Sequence, residues 1–317
     1  LGQSEMVDIV GESARATNET VELVEVAVLA EAAPPVAAAS APGHRIDAVY
    51  LGQPSRWPTA ASLTSTVQRV LDFWAEQTSG LVTGAAESPV FVETRDGICD
   101  PYEAWPIAAQ QWGRSFYQYM VGGYPGRHLL VFTQGCSGGL ASLGTLHSGG
   151  AAWVGVNGGL DRHLQVTAHE IGHNLGLDHG FVRDCLGSNV DDAWSRVGQD
   201  IWLTDSVCRD VSYADVFNVM GGSSGPGLSS LPISQRHVLL GATAENYIAG
   251  LVWAPGVSRT FTLNALASNS GVRGLRVQGR SADEVVYLEY REPVGTDAAL
   301  RTWPVGVGSG VMSPGVR

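Results

Sequence analysis

Lysine is absent from the 317-residue chain: all 19 basic residues are Arg, set against 31 Asp and Glu, for a formal net charge of −12. Charged residues make up only 16% of the sequence. An acidic chain of this kind lacks the basic surface that nucleic acid or an anionic membrane attracts, so neither is expected as a partner. Long apolar runs are also missing, and none approaches the ~20 residues that span a bilayer. The most apolar tract, Val24 to Pro42, is interrupted by Glu25, Glu31, Pro34 and Pro35. With no basic segment before it and Leu1 opening the chain, a processed form or a fragment whose signal peptide has gone is expected. The four cysteines, Cys99, Cys136, Cys185 and Cys208, show no CxxC spacing, so a four-cysteine zinc site is not indicated. An even count without metal spacing points to two disulfides, an oxidising compartment and a secreted protein, the alternative being a cytosolic chain with four inert buried thiols. Three connectivities are open. Chain proximity favours Cys185 with Cys208, 23 residues apart, which leaves Cys99 with Cys136.

Glycine, by contrast, is abundant, with 40 residues, and 44% of the chain is hydrophobic, enough for a buried core in one large domain and a small one. TVELVEVAVL (20 to 29) alternates like a strand, and the Pro- and Ala-rich stretch 30 to 43 reads as a linker. Residues 1 to 43 thus form an N-terminal β segment and linker, a possible pro-region remnant. RIDAVYLG (45 to 52) predicts a strand. Leu63, Val67, Val70, Leu71 and Trp74 share one helix face, stopped by Gly80. SPVFVETRD (88 to 96) is strand-like, and AWPIAAQQWGRSFYQYMVGG predicts one helix ending near Gly122 and Gly123. HLLVFTQG (128 to 135), GLASLG (139 to 144) and AAWVGVNG (151 to 158) predict strands, and LQVTAHEIGHNLGL a strong helix. The stretch 178 to 227 has little periodicity, SSLPISQRHVLLG offers a last short helix, and from 246 onward short alternating segments lie between glycines. The expected architecture is α/β (α+β) with a mixed twisted sheet over 44–245 and a small C-terminal β-domain over 246–317.

Residues 169 to 179 read HEIGHNLGLDH. His169 and His173, four apart on a helix, project from one face and can bind one ion. Glu170 beside them can reach a metal-bound water rather than the metal. Gly176 permits a positive φ that turns the chain, so that His179 supplies a third nitrogen. Three neutral ligands leave a fourth position open, the arrangement that acidifies water and polarises a carbonyl for hydrolysis.

HExxHxxGxxH is the zinc signature of the metzincin metallopeptidases, and this chain resembles them. VFNVMGG places Met220 in a Gly-rich turn 41 residues after His179, similar to the methionine turn of that group. HEIGHNLGLDHG with YADVFNVMGG looks most like the gametolysin-like metzincins, with support from GCSGGLASLG, AAWVGVNGG, ISQRHVLLG and VVYLEYRE, over roughly residues 44 to 300. The resemblance implies a metzincin-type zinc peptidase fold with an active-site helix. It also implies one zinc ion on His169, His173 and His179, Glu170 as general base, Met220 as support beneath the ligands, and a protein or peptide substrate. Gly180 follows the third histidine where matrixins carry Ser, reprolysins Asp, astacins Glu and serralysins Pro, which disfavours those four. The Tyr that astacins and serralysins carry two residues after the Met is Gly222 here. Tyr213 could instead reach the site and stabilise an oxyanion, or pack in the interior. The edge strand that pairs with an extended substrate is expected at 139 to 144 or 151 to 156.

Other signals are weaker. GCSGG around Ser137 resembles a serine-protease sequence but lacks partner His and Asp patterns. Asp184, Asp191, Asp192, Asp200, Asp205, Asp210 and Asp215 could hold calcium yet lack EF-hand spacing; as acidity beside the cleft they suggest basic stretches of substrate. Cys99 or Asp100 could ligate zinc in an inhibitory switch, although neither precedes the catalytic segment. His44, His128, His147, His163 and His237 read as surface or packing residues. Competing readings are a matrix- or surface-binding module with a vestigial zinc site, against which Glu170 argues, and a zinc hydrolase of a non-peptide amide. No sequence feature sets the oligomeric state.

Overall fold

The computed structural model describes residues 4–9, 43–95, 97–185, 194–197, 200–203, 208–213, 215, 217–222, 227–252, 259–268, 270–279, 285–302 and 315–316. In chain order the regular elements begin with β1 (Ser4–Ile9), β2 (His44–Gly52), α1 (Ala60–Gln77), β3 (Gly84–Ala86) and β4 (Val90–Glu93). Next come α2 (Pro101–Gln111), α3 (Phe116–Met120), β5 (Arg127–Gln134), β6 (Gly139–Ala141), β7 (Gly149–Val156) and α4 (Leu164–Asn174). They continue with β8 (Phe181–Cys185), β9 (Trp194–Val197), β10 (Asp200–Leu203), β11 (Cys208–Ser212) and α5 (Ile233–Leu240). The last are β12 (Ile248–Val252), β13 (Arg259–Asn264), β14 (Gly274–Gln278), β15 (Val285–Arg291) and β16 (Gly315–Val316).

A twisted mixed sheet is ordered β3-β2-β5-β7-β6, with β4 also pairing with β2. β3, β4, β5 and β7 join parallel ladders, and β6 runs antiparallel to β7 with Leu140 opposite Trp153. Alternation along the strands explains why both faces are covered. Ile46, Ala48, Tyr50, Leu130, Phe132, Ala152 and Val154 pack with α1 and α4. Val49, Leu51, Leu129, Val131, Ala151 and Trp153 pack with α2 and α3. Strands buried on both faces read as continuous apolar runs, as β5 does.

α1 buries Leu63, Val67, Val70, Leu71 and Trp74, the face read from the sequence. The Thr59 side chain caps its first turn by accepting from Ser62 N at 3.1 Å. The single helix expected from Ala104 to Gly122 is two. α2 starts at Pro101 behind the Asp100 cap, whose carboxylate accepts from Tyr102 N at 2.9 Å. It ends where Gly113 takes φ +62°, a left-handed turn that lets Arg114 N close on Ala109 O at 3.1 Å before α3 begins. The strand expected over 88 to 96 is the shorter β4, preceded by β3.

Between residues 181 and 212, two antiparallel pairs, β8 with β11 and β9 with β10, replace the aperiodic stretch; Cys208 stands opposite Cys185 in the first ladder. Cys99 and Cys136 form a disulfide. Downstream, β12-β14-β15-β16 make a four-stranded sheet, and β13 pairs antiparallel with β1. The strand expected over 20 to 29 lies outside the described residues.

A polar chain runs through the main sheet to the end of α4. His44 Nδ1 meets His128 Nε2 at 2.9 Å, and His128 Nδ1 meets Asn174 Oδ1 at 3.2 Å. Asn174 Nδ2 then donates to Ser142 O at 2.9 Å and Ala151 O at 3.1 Å, tying the helix end to the end of the sheet. Burial pushes His128 down to about 3 and His44 to about 4, each helped by a neighbouring histidine. Because the fold prefers the neutral rings while the unfolded chain protonates near pH 6.5, this pair stabilises fully above pH 6.5. Its contribution is lost progressively as pH falls from 6.5 toward 3. Denaturant midpoints measured between pH 7 and pH 4 should therefore fall less steeply for His128→Gln than for the unsubstituted protein. Equal slopes would remove His128 as a source of acid sensitivity.

Candidate metal centre

α4 lies beneath the sheet, held by Leu164, Ala168, Ile171 and Leu175 in the core and by Trp74 Nε1 donating to Ala168 O at 3.1 Å. This leaves the turn carrying His169, Glu170 and His173 facing a cleft. After Asn174 the chain reverses. Gly176 takes φ +99°, its N–H reaches His173 O at 2.9 Å, and Leu177 N reaches Gly172 O at 3.0 Å. The reversal carries His179 back to the helix face.

The three imidazoles converge. His173 Nε2 is 3.1 Å from His169 Nε2 and 3.1 Å from His179 Nε2. Opposite nitrogens set the tautomers: His169 Nδ1–H donates to Val219 O at 3.0 Å and His173 Nδ1–H to Leu177 O at 2.8 Å. The Nε2 atoms of these two rings are then bare acceptors, aimed at each other with no proton to share, and His173 Nε2 also faces His179 Nε2. Two bare acceptors 3.1 Å apart are unfavourable unless a cation sits beside them. Zn–N bonds of about 2.0–2.1 Å in a tetrahedron put ligand nitrogens about 3.3 Å apart, close to the observed spacing. Burial holds His169 down to about 4 and lowers His173 as well, so both are neutral at pH 7, the state a ligand requires. Among the described residues this triad is the group of metal-type side chains close enough to hold an ion.

Glu170 is 5% exposed, and burial alone raises its carboxyl to about 8. A cation at the triad would favour the ionised form and pull that value back down. The cleft encloses about 400 Å³ and is lined by Gly138 to Ala141, Leu143, Val166, Glu170, the three histidines and Tyr213. Of the two candidate edge segments, β6 stands at the end of the sheet and β7 is interior between β5 and β6.

Tyr213 is not an interior packing residue. It is 45% exposed, its ring centroid lies 4.0 Å from that of His179, and it adopts φ +62°. A tyrosine in left-handed backbone is strained, and strain of this kind collects at functional sites. Tyr213 N donates to Gly180 O at 3.1 Å and Gly222 N to Tyr213 O at 2.6 Å, which together impose that conformation. Gly180 also donates to Met220 O at 2.8 Å, and a Cβ on it would run into the Asn218 amide. Met220 is fully buried, with its sulfur against Gly172 in the last turn of α4. The same turn supplies Val219 O, which accepts from His169 and from Gln165 Nε2 at 2.9 Å.

Other sequence candidates fall away from the triad. Asp100 caps α2 and Cys99 is bonded to Cys136, so neither is available as a zinc switch. Among the described residues no histidine bonds Ser137. The side chains of Asp184, Asp191, Asp192, Asp200, Asp205 and Asp210 lie outside the described residues, and Asp215 caps its own turn by accepting from Phe217 N at 3.1 Å. Sequence reasoning missed the Val219 carbonyl and Gly139, because neither carries a side chain that announces chemistry.

Three converging imidazoles with a buried carboxyl group beside them, under the edge of a sheet, make a site of the class used by hydrolytic metalloenzymes. Residues 122–227, about a third of the chain, match the model of a family described as Reprolysin_5, metallo-peptidase family M12. That family is one of zinc-dependent peptidases, and the match supports a metzincin-like metallopeptidase. It carries the reprolysin name although Gly180 stands where reprolysins have Asp, so that position alone does not separate the groups. No curated protein matches the chain.

Proposed function

We propose that the protein is a secreted zinc endopeptidase of the gametolysin-like metzincins, with residues 44–245 as its catalytic domain and 246–317 as a C-terminal β-domain. The observation that carries this reading is the convergence of three Nε2 atoms, two of them acceptors with their tautomers locked by backbone carbonyls, beside the buried carboxyl group of Glu170. His169, His173 and His179 would hold the zinc, which when bound supplies Lewis-acid polarisation of a carbonyl and acidifies water. An extended peptide adds to the free edge of β6 through main-chain hydrogen bonds, bringing its carbonyl over the triad. Glu170 takes a proton from the attacking water at a carboxylate oxygen. It then delivers that proton to the leaving amide nitrogen. Burial suits Glu170 to this exchange, because a carboxylate with few waters around it both accepts and releases a proton near neutral pH.

The purified chain is expected to contain one zinc per molecule and to cleave a panel of unfolded proteins. Cleavage should stop on chelation and return with added zinc. Stoichiometric zinc with no cleavage of any protein in the panel would sink the peptidase reading.

A further inference from the structure

We propose that Gly139, at the start of β6, is a positioning residue for Glu170, and that the missing side chain there is what keeps the carboxylate at the level of the strand that receives substrate. The inference deepens the peptidase reading and rests on it. A Cβ on Gly139 would enter the Glu170 carboxylate, lying 2.7 Å from Cδ and meeting Oε1, and would stand 2.8 Å from Val166 Cγ1. Both sides of this contact are fixed. α4 cannot recede, because Gly172 on its far side presses on the Met220 sulfur and would place a Cβ 2.8 Å from the Trp74 ring. β6 cannot recede either. Gly155 N holds Gly138 O at 2.9 Å, Asn174 holds Ser142 O at 2.9 Å, and the Cys99–Cys136 disulfide anchors the chain three residues upstream.

The parts able to yield are side chains: the far end of Glu170, and the partly buried Val166, whose isopropyl group can turn about χ1 to clear the 2.8 Å contact. A methyl group at residue 139 would therefore turn the carboxylate away while leaving the two backbones in place. Stability would change little, but the carboxylate would no longer sit where a strand-bound amide can exchange a proton with it.

The test uses the full zinc-loaded chain. Gly139→Ala should lower kcat at least tenfold with KM within about twofold, unchanged zinc content and an unchanged melting temperature. A crystal structure of the variant should show the Glu170 carboxylate rotated and the β6 and α4 backbones superimposable on the parent. Retention of kcat within twofold overturns the proposal, and so does a structure in which the strand has moved and the carboxylate has not. If Gly139→Ala fails to fold, the pair with Glu170→Asp decides. The shorter carboxylate clears the methyl, so the double variant should be as stable as Glu170→Asp alone. Equal destabilisation in both backgrounds places the clash elsewhere and overturns the proposal. If the parent cleaves no protein, the peptidase reading fails on its own, while the Glu170 rotation still reports on Gly139.

Discussion

Replacing Glu170 with Ala is expected to lower the rate of protein cleavage by about two to four orders of magnitude, the range removed with a positioned general base, while one zinc per chain is retained. Retention is expected because the proposed ligands are the three histidines, and none hydrogen-bonds Glu170 among the described residues. The variant should also be at least as stable as the parent without metal. Burial raises the Glu170 carboxyl to about 8, so ionising it inside the fold is unfavourable and removing it relieves that cost. Cleavage rate, zinc content and melting temperature of the metal-free chain test the three parts together. Cleavage near the parent rate would remove Glu170 as the base. Loss of zinc would show instead that it supports the ligands.

The second large effect lies outside the cleft, at Arg291 on β15. This guanidinium is fully buried and bonds Glu289 at 2.7 Å and both oxygens of Asp297 at 3.1 Å, while a further N–H reaches Ser230 O at 3.1 Å. Burial works against its charge, but Glu289 and Asp297 more than offset that and hold Arg291 above its ordinary value. The two carboxylates also accept from backbone: Asp297 from Ser230 N at 2.7 Å and Glu289 from Ile233 N at 2.7 Å. Together these bonds secure the segment entering α5, whose Gln235 donates to Asp178 O at 3.1 Å beside His179. Arg291→Met should destabilise the chain by about 3–5 kcal/mol, because two buried carboxylates lose their counter-charge. Adding Glu289→Gln and Asp297→Asn should recover part of the loss, since the amides still accept from the backbone without a charge to bury. Denaturant unfolding measures both, and a cost below about 1 kcal/mol for Arg291→Met would mean that water reaches the cluster.

Much of this was legible along the chain. The helical period of Leu63, Val67, Val70 and Trp74 and the runs of β2, β5 and β7 reflect backbone geometry, which repeats every few residues and needs no distant partner. The His169–His173 spacing and Gly176 are local in the same sense. The break at Gly113 was less visible, because a glycine inside an apolar pattern reads equally as a tolerated residue or a stop until packing selects one.

The sequence by itself determined the three histidines of the candidate centre, the carboxyl group beside them and the turn that returns His179, since all lie within eleven residues of one helix and its exit. Only the tertiary structure decided that β6 and not β7 ends the sheet among the described residues, that Val219 O, fifty residues from His169, sets its tautomer, and that a glycine 31 residues before Glu170 stands against its carboxyl group. Those depend on strand order and on main-chain atoms that every residue carries. A sequence pattern records which side chains are present, whereas the placing of a carbonyl or a bare Cα against a reactive group follows from how the elements pack.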